Sequence, residues 1–211
     1  MGDITLRAIE ILKTVDVIAC EDTRHSGRLL LHFGIKKPLL SLYQAQEVRK
    51  TAQALSQLKD GKTVALISDC GTPNIQDPGY RLVEACVAED IPIYSVPGPS
   101  AIIAALSISG LPTNAFIFDG FLPPKSGARK TKMQAWIGEK RTIIFYESPH
   151  KIIKTLNQML EVFGDVHVVL ARELTKKFEE VLRKPLSAHI EHFTTKKPKG
   201  EFVVLFNLAH Q

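Results

Sequence analysis

Residues 64–73, Val64-Ala65-Leu66-Ile67-Ser68-Asp69-Cys70-Gly71-Thr72-Pro73, decide the fold class. Four apolar residues of strand length run directly into a cluster of polar and turn-forming residues. A short continuous apolar run bounded by turn signals reads as a buried strand. The same join recurs along the chain. Residues 15–20 lead into Glu21-Asp22-Thr23-Arg24-His25, and residues 91–95 into Pro97-Gly98-Pro99-Ser100-Ala101. Residues 142–146 lead into Glu147-Ser148-Pro149-His150, and residues 166–171 into Arg172-Glu173-Leu174-Thr175-Lys176. Open α/β sheets bind ligands beyond the carboxyl ends of their strands. Repetition of this join predicts a site between two sheets.

Helical periods fill the intervals, which makes the class α/β. In residues 4–13, Ile4, Ala8, Ile9 and Leu12 fall on one helical face, with Asp3 as the expected N-cap. Further helices are expected over 46–58 (stopped by Gly61), 80–88, 99–108, 129–138, 149–162 and 185–192. Further strands are expected over 115–118, 179–184 (an edge strand) and 202–206. The pattern restarts after Gly110-Leu111-Pro112, so the expected division is a domain of residues 1–112 and another of 113–211.

The bulk properties narrow the function classes. With 211 residues, 45% of them hydrophobic and 23% charged, the chain can bury a substantial core. No apolar run approaches the roughly 18 residues needed to cross a bilayer, so no membrane association is expected. Met1-Gly2-Asp3 opens no signal segment, and a cytoplasmic location is the expectation. The three cysteines, Cys20, Cys70 and Cys86, show no paired spacing. Cys20 and Cys86 read as small buried hydrophobes. The net charge of +5 suits a polyanionic partner, as do Lys125, Arg129, Lys130 and Lys132 and a second group of Lys196, Lys197 and Lys199. The plain alternative for both groups is a solvated helix end or loop.

Several chemistries are excluded by inspection. The chain carries no GxxxxGK[ST], no GxGxxG after its first strand, no GxSxG elbow at Ser100 and no HExxH. His189 and His192 lie three apart with no third ligand nearby, so no metal is expected. Glu21, Asp22 and Arg24, like Glu147 and His150, mix acids with bases, which suits general-base work. The structural alternatives are an ion pair and helix caps, from Asp22 or Thr23 and from Ser148. Pro97, Gly98, Pro99, Ser100 and Ala101 form either a ligand-approaching helix start or a tight turn. Asp69-Cys70-Gly71-Thr72-Pro73, followed by Asp77-Pro78-Gly79, is too constrained for a spacer and reads as a binding loop.

Taken together these segments resemble the class III, tetrapyrrole-methylase-fold methyltransferases, and within them the branch acting on ribosomal RNA. The resemblance rests on GDITLRAIEILK, EDTRHSGRLL, SDCGTPNIQDPGYRLV, VPGPSAIIAALSISGLPT, FYESPHKI, ARELTKKFEE and KGEFVV, in that order over essentially the whole chain. It implies two α/β domains with the active site in the cleft between them and S-adenosyl-L-methionine as methyl donor. It further implies methylation of a cytidine 2′-hydroxyl in 16S rRNA of the small ribosomal subunit, a cytoplasmic setting and a homodimer. By the same resemblance Asp69, Gly71, Thr72, Pro97, Gly98, Ser100, Ala101 and Tyr146 surround the donor. Glu21, Asp22, Arg24, Glu147, His150 and Glu173 serve catalysis, the base being an acid from one of the two Glu-containing clusters. Arg172, Lys176, Lys125, Arg129 and Lys130 contact RNA.

The family pattern also places an apolar strand and a Thr-Pro-Ile-Gly-Asn loop before GDITLRA and a helical segment after KGEFVV. The expectation is therefore a first sheet without its initial strand. Cys70 stands where alanine is usual. Two other readings stay open from the residues: a methyltransferase of a small tetrapyrrole-like substrate, and a non-catalytic module that binds RNA or ligand.

Overall fold

The computed structural model describes residues 1–43 and 47–211. By internal contacts the chain forms two compact units, Met1–Ser100 and Ala101–Gln211. The first is built from α1 (Leu6–Thr14), β1 (Val17–Cys20), α2 (Thr23–His32), β2 (Leu39–Ser41), α3 (Glu47–Lys59), β3 (Val64–Ile67) and α4 (Tyr80–Ala88). Its three strands are all parallel, in the order β2-β1-β3.

Alternation along β1 explains why helices cover both faces of this sheet. Val17 and Ala19 point to one side, where Leu40, Ala54 of α3, and Leu82 and Cys86 of α4 close the core. Ile18 points to the other, where Leu12 of α1, Leu30 of α2 and Ile35 meet it. Parallel strands buried on both faces need crossover helices, and each β-to-β step here supplies one. The cap of α1 differs from expectation: Thr5, not Asp3, accepts from the Ala8 amide (3.2 Å). The helix therefore starts two residues later than its periodicity suggests, and Ile4 packs from outside it. Position 46, the first residue of the helix expected over 46–58, lies outside the described residues.

Two strand expectations need correcting in this unit. Residues 91–95 form no ladder, and β3 is only half-buried rather than buried. Among the described residues β3 is a sheet edge. Pro92 has no amide to donate, and Ile93 and Tyr94 are exposed, so neither backbone pairing nor burial makes the segment a strand.

Gly79 fits the first unit tightly. Its φ of +137° is a glycine conformation, and a Cβ there would lie 2.6 Å from Leu66 Cδ2. Gly79→Ala is expected to destabilise by about 2 kcal/mol, from the backbone conformation and the forced shift of Leu66. A chemical-denaturation midpoint equal to the parent's would refute it.

The second unit contains α5 (Ala101–Ser107), β4 (Phe116–Phe121), α6 (Ser126–Gln134), β5 (Thr142–Glu147), α7 (Ile152–Phe163), β6 (His167–Arg172), β7 (Glu180–Pro185), α8 (Leu186–Thr195) and β8 (Phe202–Phe206). Its sheet runs β4-β5-β8-β6-β7, with β4 parallel to β5 and the other neighbours antiparallel. The expected edge strand is β7. One face, through Phe145, Leu170, Phe202, Val204 and Phe206, packs on α7 and α8 with Met133 and Trp136. The opposite face, through Ile144, Val169, Val203 and Leu205, packs on Ile102, Ala105 and Leu106 of α5. Helix α5 precedes Pro112 in sequence, yet its apolar side completes this second sheet.

Candidate functional site

Because β1, β2 and β3 are parallel, their carboxyl ends gather Glu21, Ser41 and Ser68 at one end of the first sheet. A cavity of about 430 Å³ opens there, lined by Glu21, Asp22, Thr23, Arg24, Ser41, Tyr43 and Asp69. A larger hollow of about 540 Å³ beside Leu30, Leu31 and Ile35 is lined by no acid, hydroxyl or thiol. Of the two, the smaller one holds the acids and hydroxyls.

The carboxylates in that cavity are not equivalent. Asp22 caps α2: its Oδ1 accepts from the Arg24 amide (2.8 Å), and its Oδ2 pairs with Arg24 Nη2 (3.0 Å). These bonds from Arg24 bring the carboxyl down to about 2. Asp22 is thus held ionised by its local structure. Glu21 moves the other way: burial, then the nearby charges of Asp77, Asp69 and Asp22, push its carboxyl above the ordinary range. Asp69 Oδ1 accepts from the Asp22 amide (3.4 Å), which joins the first polar cluster to the third strand's loop.

That loop is ordered by its own bonds. Ser68 Oγ donates to the carbonyls of Cys70 (3.1 Å) and Gly71 (3.3 Å). Gly71, Asn74, Gln76 and Gly79 all have left-handed φ, which turns the chain sharply and repeatedly. Thr72 Oγ1 donates to Pro99 O (3.0 Å), and Thr5 Oγ1 to Pro97 O (3.2 Å). The Pro97–Gly98–Pro99 turn is therefore pinned to both the glycine loop and the start of α1. A Cβ on Gly71 would sit 3.8 Å from Pro99 O. Two exposed turns thus lie side by side, joined by the Thr72 hydroxyl.

In the second unit, register gathers another group. Phe202, at the start of β8, pairs with Glu147 on one side and Arg172 on the other, and Arg172 pairs with Glu180. One end of the sheet therefore carries Glu147, Arg172, Glu180 and the loops that follow. Arg172 Nε donates to Glu180 Oε2 (2.6 Å), and its Nη1 to Lys199 O (3.1 Å), tying the Lys196-Lys197-Pro198-Lys199 turn to β6. Glu173 and Thr175 both adopt left-handed φ, at 50° and 63°. Gly200 lies flat on Glu173: an added Cβ would be 2.5 Å from Glu173 Oε1.

The tetrapyrrole (corrin/porphyrin) methylase family model matches residues 1–189 of this framework. The chain belongs to the tetrapyrrole methylases. It is 48% identical over 97% of its length to ribosomal RNA small subunit methyltransferase I of Vibrio cholerae, covering 72% of that protein. It is 45% identical over 98% of its length to the protein of the same name from Thermotoga maritima, covering 93% of it. Among solved structures, diphthine synthase superposes with a TM-score of 0.76 at 14% identity, covering 98% of this chain and 84% of that one. That last likeness concerns the fold alone.

The residues expected at the site divide between the two units of this tetrapyrrole methylase. Glu21, Asp22, Arg24 and Asp69 come together at one cavity, with Gly71, Thr72, Pro97 and Gly98 on the adjoining turns. Ser100 is the last residue of the first unit, and Ala101 begins α5 in the second. Tyr146 lies on β5 with its ring edge-on to Phe118, centroids 5.0 Å apart. His150, Lys125, Lys130 and Lys176 are exposed on the second unit, Lys130 in an ion pair with Glu161 (3.3 Å).

Three expectations fail on burial or bonding. Arg129 is not part of an exposed basic patch: it is 5% exposed, and its guanidinium donates to Gln158 Oε1 and Pro124 O. An early start of α6, at Ser126, turns it inward. Ser148 does not cap α7 with its side chain; its carbonyl accepts from the Lys151 and Ile152 amides, and the helix begins at Ile152. Glu147 offers no solvent-facing carboxylate. It is 3% exposed, with Oε1 accepting from the Ser148 amide (2.8 Å) and Oε2 from Thr155 Oγ1 (2.6 Å). Its bonding orders the turn after β5.

Two residues of the cavity were not singled out from sequence. Ser41 and Tyr43 line the first cavity, and the signal for them was Leu39-Leu40-Ser41-Leu42 after Pro38, a strand too short to stand out. Asp77 contributes to the Glu21 environment, a long-range contact with no local signature. His189, buried and with Nε2 2.8 Å from Val168 O, serves α8 packing. Among the described residues no group of three His, Cys, Asp or Glu is placed to hold a metal. No described helix is long and apolar enough to cross a membrane.

Proposed function

We propose that this chain is an S-adenosyl-L-methionine-dependent methyltransferase of small-subunit ribosomal RNA that modifies a cytidine 2′-hydroxyl of 16S rRNA. The observation that carries this reading is 45–48% identity, over 97–98% of the chain, to proteins named ribosomal RNA small subunit methyltransferase I. The first unit supports it with a half-buried acid at a cavity and two exposed turns joined by a hydrogen bond. The reading includes a cytoplasmic location and a homodimer.

The residues present fit a nucleoside-type donor. The left-handed turn at Gly71 and the exposed Pro97–Gly98–Pro99 turn leave backbone groups accessible, and Asp69 supplies a carboxylate suited to ribose hydroxyls. Asp69, Gly71, Thr72, Pro97, Gly98 and Ser100 are proposed to hold the donor, with Ala101 and Tyr146 as further contacts. When bound, S-adenosyl-L-methionine supplies a methyl group already activated by the adjacent sulfonium charge. The chain's own residues are left to align the hydroxyl, exclude water and accept a proton. Glu21 accepts that proton: it lines the cavity, and its raised affinity for protons suits a general base better than Asp22. Asp22 and Arg24 position the start of α2 beside it. Arg172, Glu173, Lys176, Lys125, Lys130 and His150 form the RNA-facing set, in which cations fix phosphates without reading sequence.

Calorimetric titration with S-adenosylhomocysteine, followed by transfer of radiolabelled methyl to small ribosomal subunits, tests the reading. Saturable binding and label in the RNA, mapped to a cytidine ribose, are expected. No binding by the folded chain would remove the methyltransferase assignment. Binding with label passing only to a porphyrin-type acceptor would replace the RNA substrate with a small one.

A further inference from the structure

The loop between β6 and β7 holds an aromatic ring in solvent. Phe178 is 66% exposed, against 47% for Phe121, the next most exposed phenylalanine. A lone exposed apolar side chain is ordinary, but the ring's setting is not. Lys177 Nζ lies 5.7 Å from its centroid, so one face already carries a cation. The preceding backbone adopts left-handed φ at Glu173 and at β-branched Thr175, where that conformation is a true outlier. Such conformations persist only where surrounding structure enforces them, and they concentrate at functional segments. Here Glu179 Oε2 accepts from the Thr175 amide (2.5 Å), and Gly200 packs on Glu173.

Charge in this loop is sorted as well. Its carboxylates have partners within the unit: Glu173 with Lys176 (3.2 Å), Glu179 with the Thr175 amide, and Glu180 with Arg172 (2.6 Å) and Lys196 (3.5 Å). The cations that remain outward, Lys177 on this loop and Lys197 and Lys199 on the turn tied to Arg172, are exposed. A rigid loop therefore presents an aromatic face beside a positive rim. This is the arrangement that takes an unpaired nucleobase on its π-face and the adjoining phosphate on its ammonium groups.

We propose that Phe178 is a stacking platform for an unpaired base of the RNA substrate, with Lys177 contacting the phosphate next to that base. The inference rests on the RNA reading above and adds to it: the substrate presents a splayed, single-stranded base at this loop. Phe178 is then an RNA-positioning residue outside the donor site.

The test measures binding of a short cytidine-rich single-stranded RNA carrying 2-aminopurine, in parallel with S-adenosylhomocysteine titration. Phe178→Ala is expected to weaken RNA binding by roughly tenfold to a hundredfold and to abolish the quenching of 2-aminopurine. Phe178→Trp should bind like the parent, and Phe178→Leu as poorly as Phe178→Ala. Lys177→Gln should lower the salt dependence of binding by about one phosphate contact. Donor-product affinity and thermal stability should not change in any of them. RNA binding by Phe178→Ala equal to the parent's, or full binding by Phe178→Leu, overturns the stacking role while leaving the RNA reading intact. So does a loss of self-association in Phe178→Ala that accounts for its weaker RNA binding, which would assign the ring to contact with a second copy. A parent that binds S-adenosylhomocysteine but no RNA overturns both.

Discussion

Glu21→Gln is expected to lower kcat for methyl transfer by roughly a hundredfold to ten-thousandfold, with little change in S-adenosylhomocysteine affinity. This range is what a positioned general base contributes. The amide keeps the size and polarity of the carboxylate but cannot take the hydroxyl proton. The direction of the pH dependence follows from the environment of Glu21. Its carboxyl is pushed up first by burial and then by Asp77, Asp69 and Asp22, and it acts as a base only once ionised. Activity should therefore rise with pH through a limb above the ordinary glutamate range and then level off. Asp77→Asn removes one repulsive charge, so its limb should move to lower pH. The same raised value means that ionising Glu21 costs folding stability as pH climbs through that limb. A Glu21→Gln enzyme with unchanged kcat, or a limb that Asp77→Asn leaves in place, would move the base elsewhere.

A second large effect concerns stability. Glu147→Ala is expected to destabilise the chain by about 3 kcal/mol, lowering Tm by roughly 10 °C. Removal of the side chain strands two donors, the Ser148 amide and the fully buried Thr155 hydroxyl. Each buried unsatisfied donor costs about 1–3 kcal/mol. The double variant Glu147→Leu with Thr155→Val should recover much of the loss, because apolar partners leave nothing unpaired at that contact. Calorimetric melts of the two single variants and the double variant check this. Additive losses would show that the Glu147–Thr155 bond is not where the energy lies. If Glu147 ordered only the turn, the double variant would also retain donor-product binding.

The strands and helices legible from sequence were those with a strong period or a closed boundary. Residues 64–67, 80–88 and 202–206 were read with the bounds the structure shows, since each is a clean apolar run or helical face between turn residues. Residues 91–95 are also mostly apolar, but Pro92 lacks an amide and the segment pairs with no strand among the described residues; ladder pairing is a property of two segments. β2 is not legible in the sequence because three residues carry too little period. Helix starts shifted where capping was decided by geometry: Thr5 rather than Asp3, and Ile152 rather than Pro149.

For the site, the sequence by itself determined the α/β class, the family, and the placement of polar clusters directly after strands. All three depend on residue type and order along the chain, which periodicity and motif preserve. Only the tertiary structure decided what each polar residue does. Glu21 and Asp22 are neighbours in sequence, yet burial with distant acids raises one while capping bonds from Arg24 lower the other. Arg129 and Lys130 look alike in a basic run, yet one turns inward to Gln158 and the other stays in solvent. Glu147 and Glu173 both stand at strand ends, yet one is buried against Thr155 and the other lies against Gly200 beside a strained loop. Solvation and electrostatic environment are sums over neighbours brought together by folding, and no local stretch of sequence contains that sum.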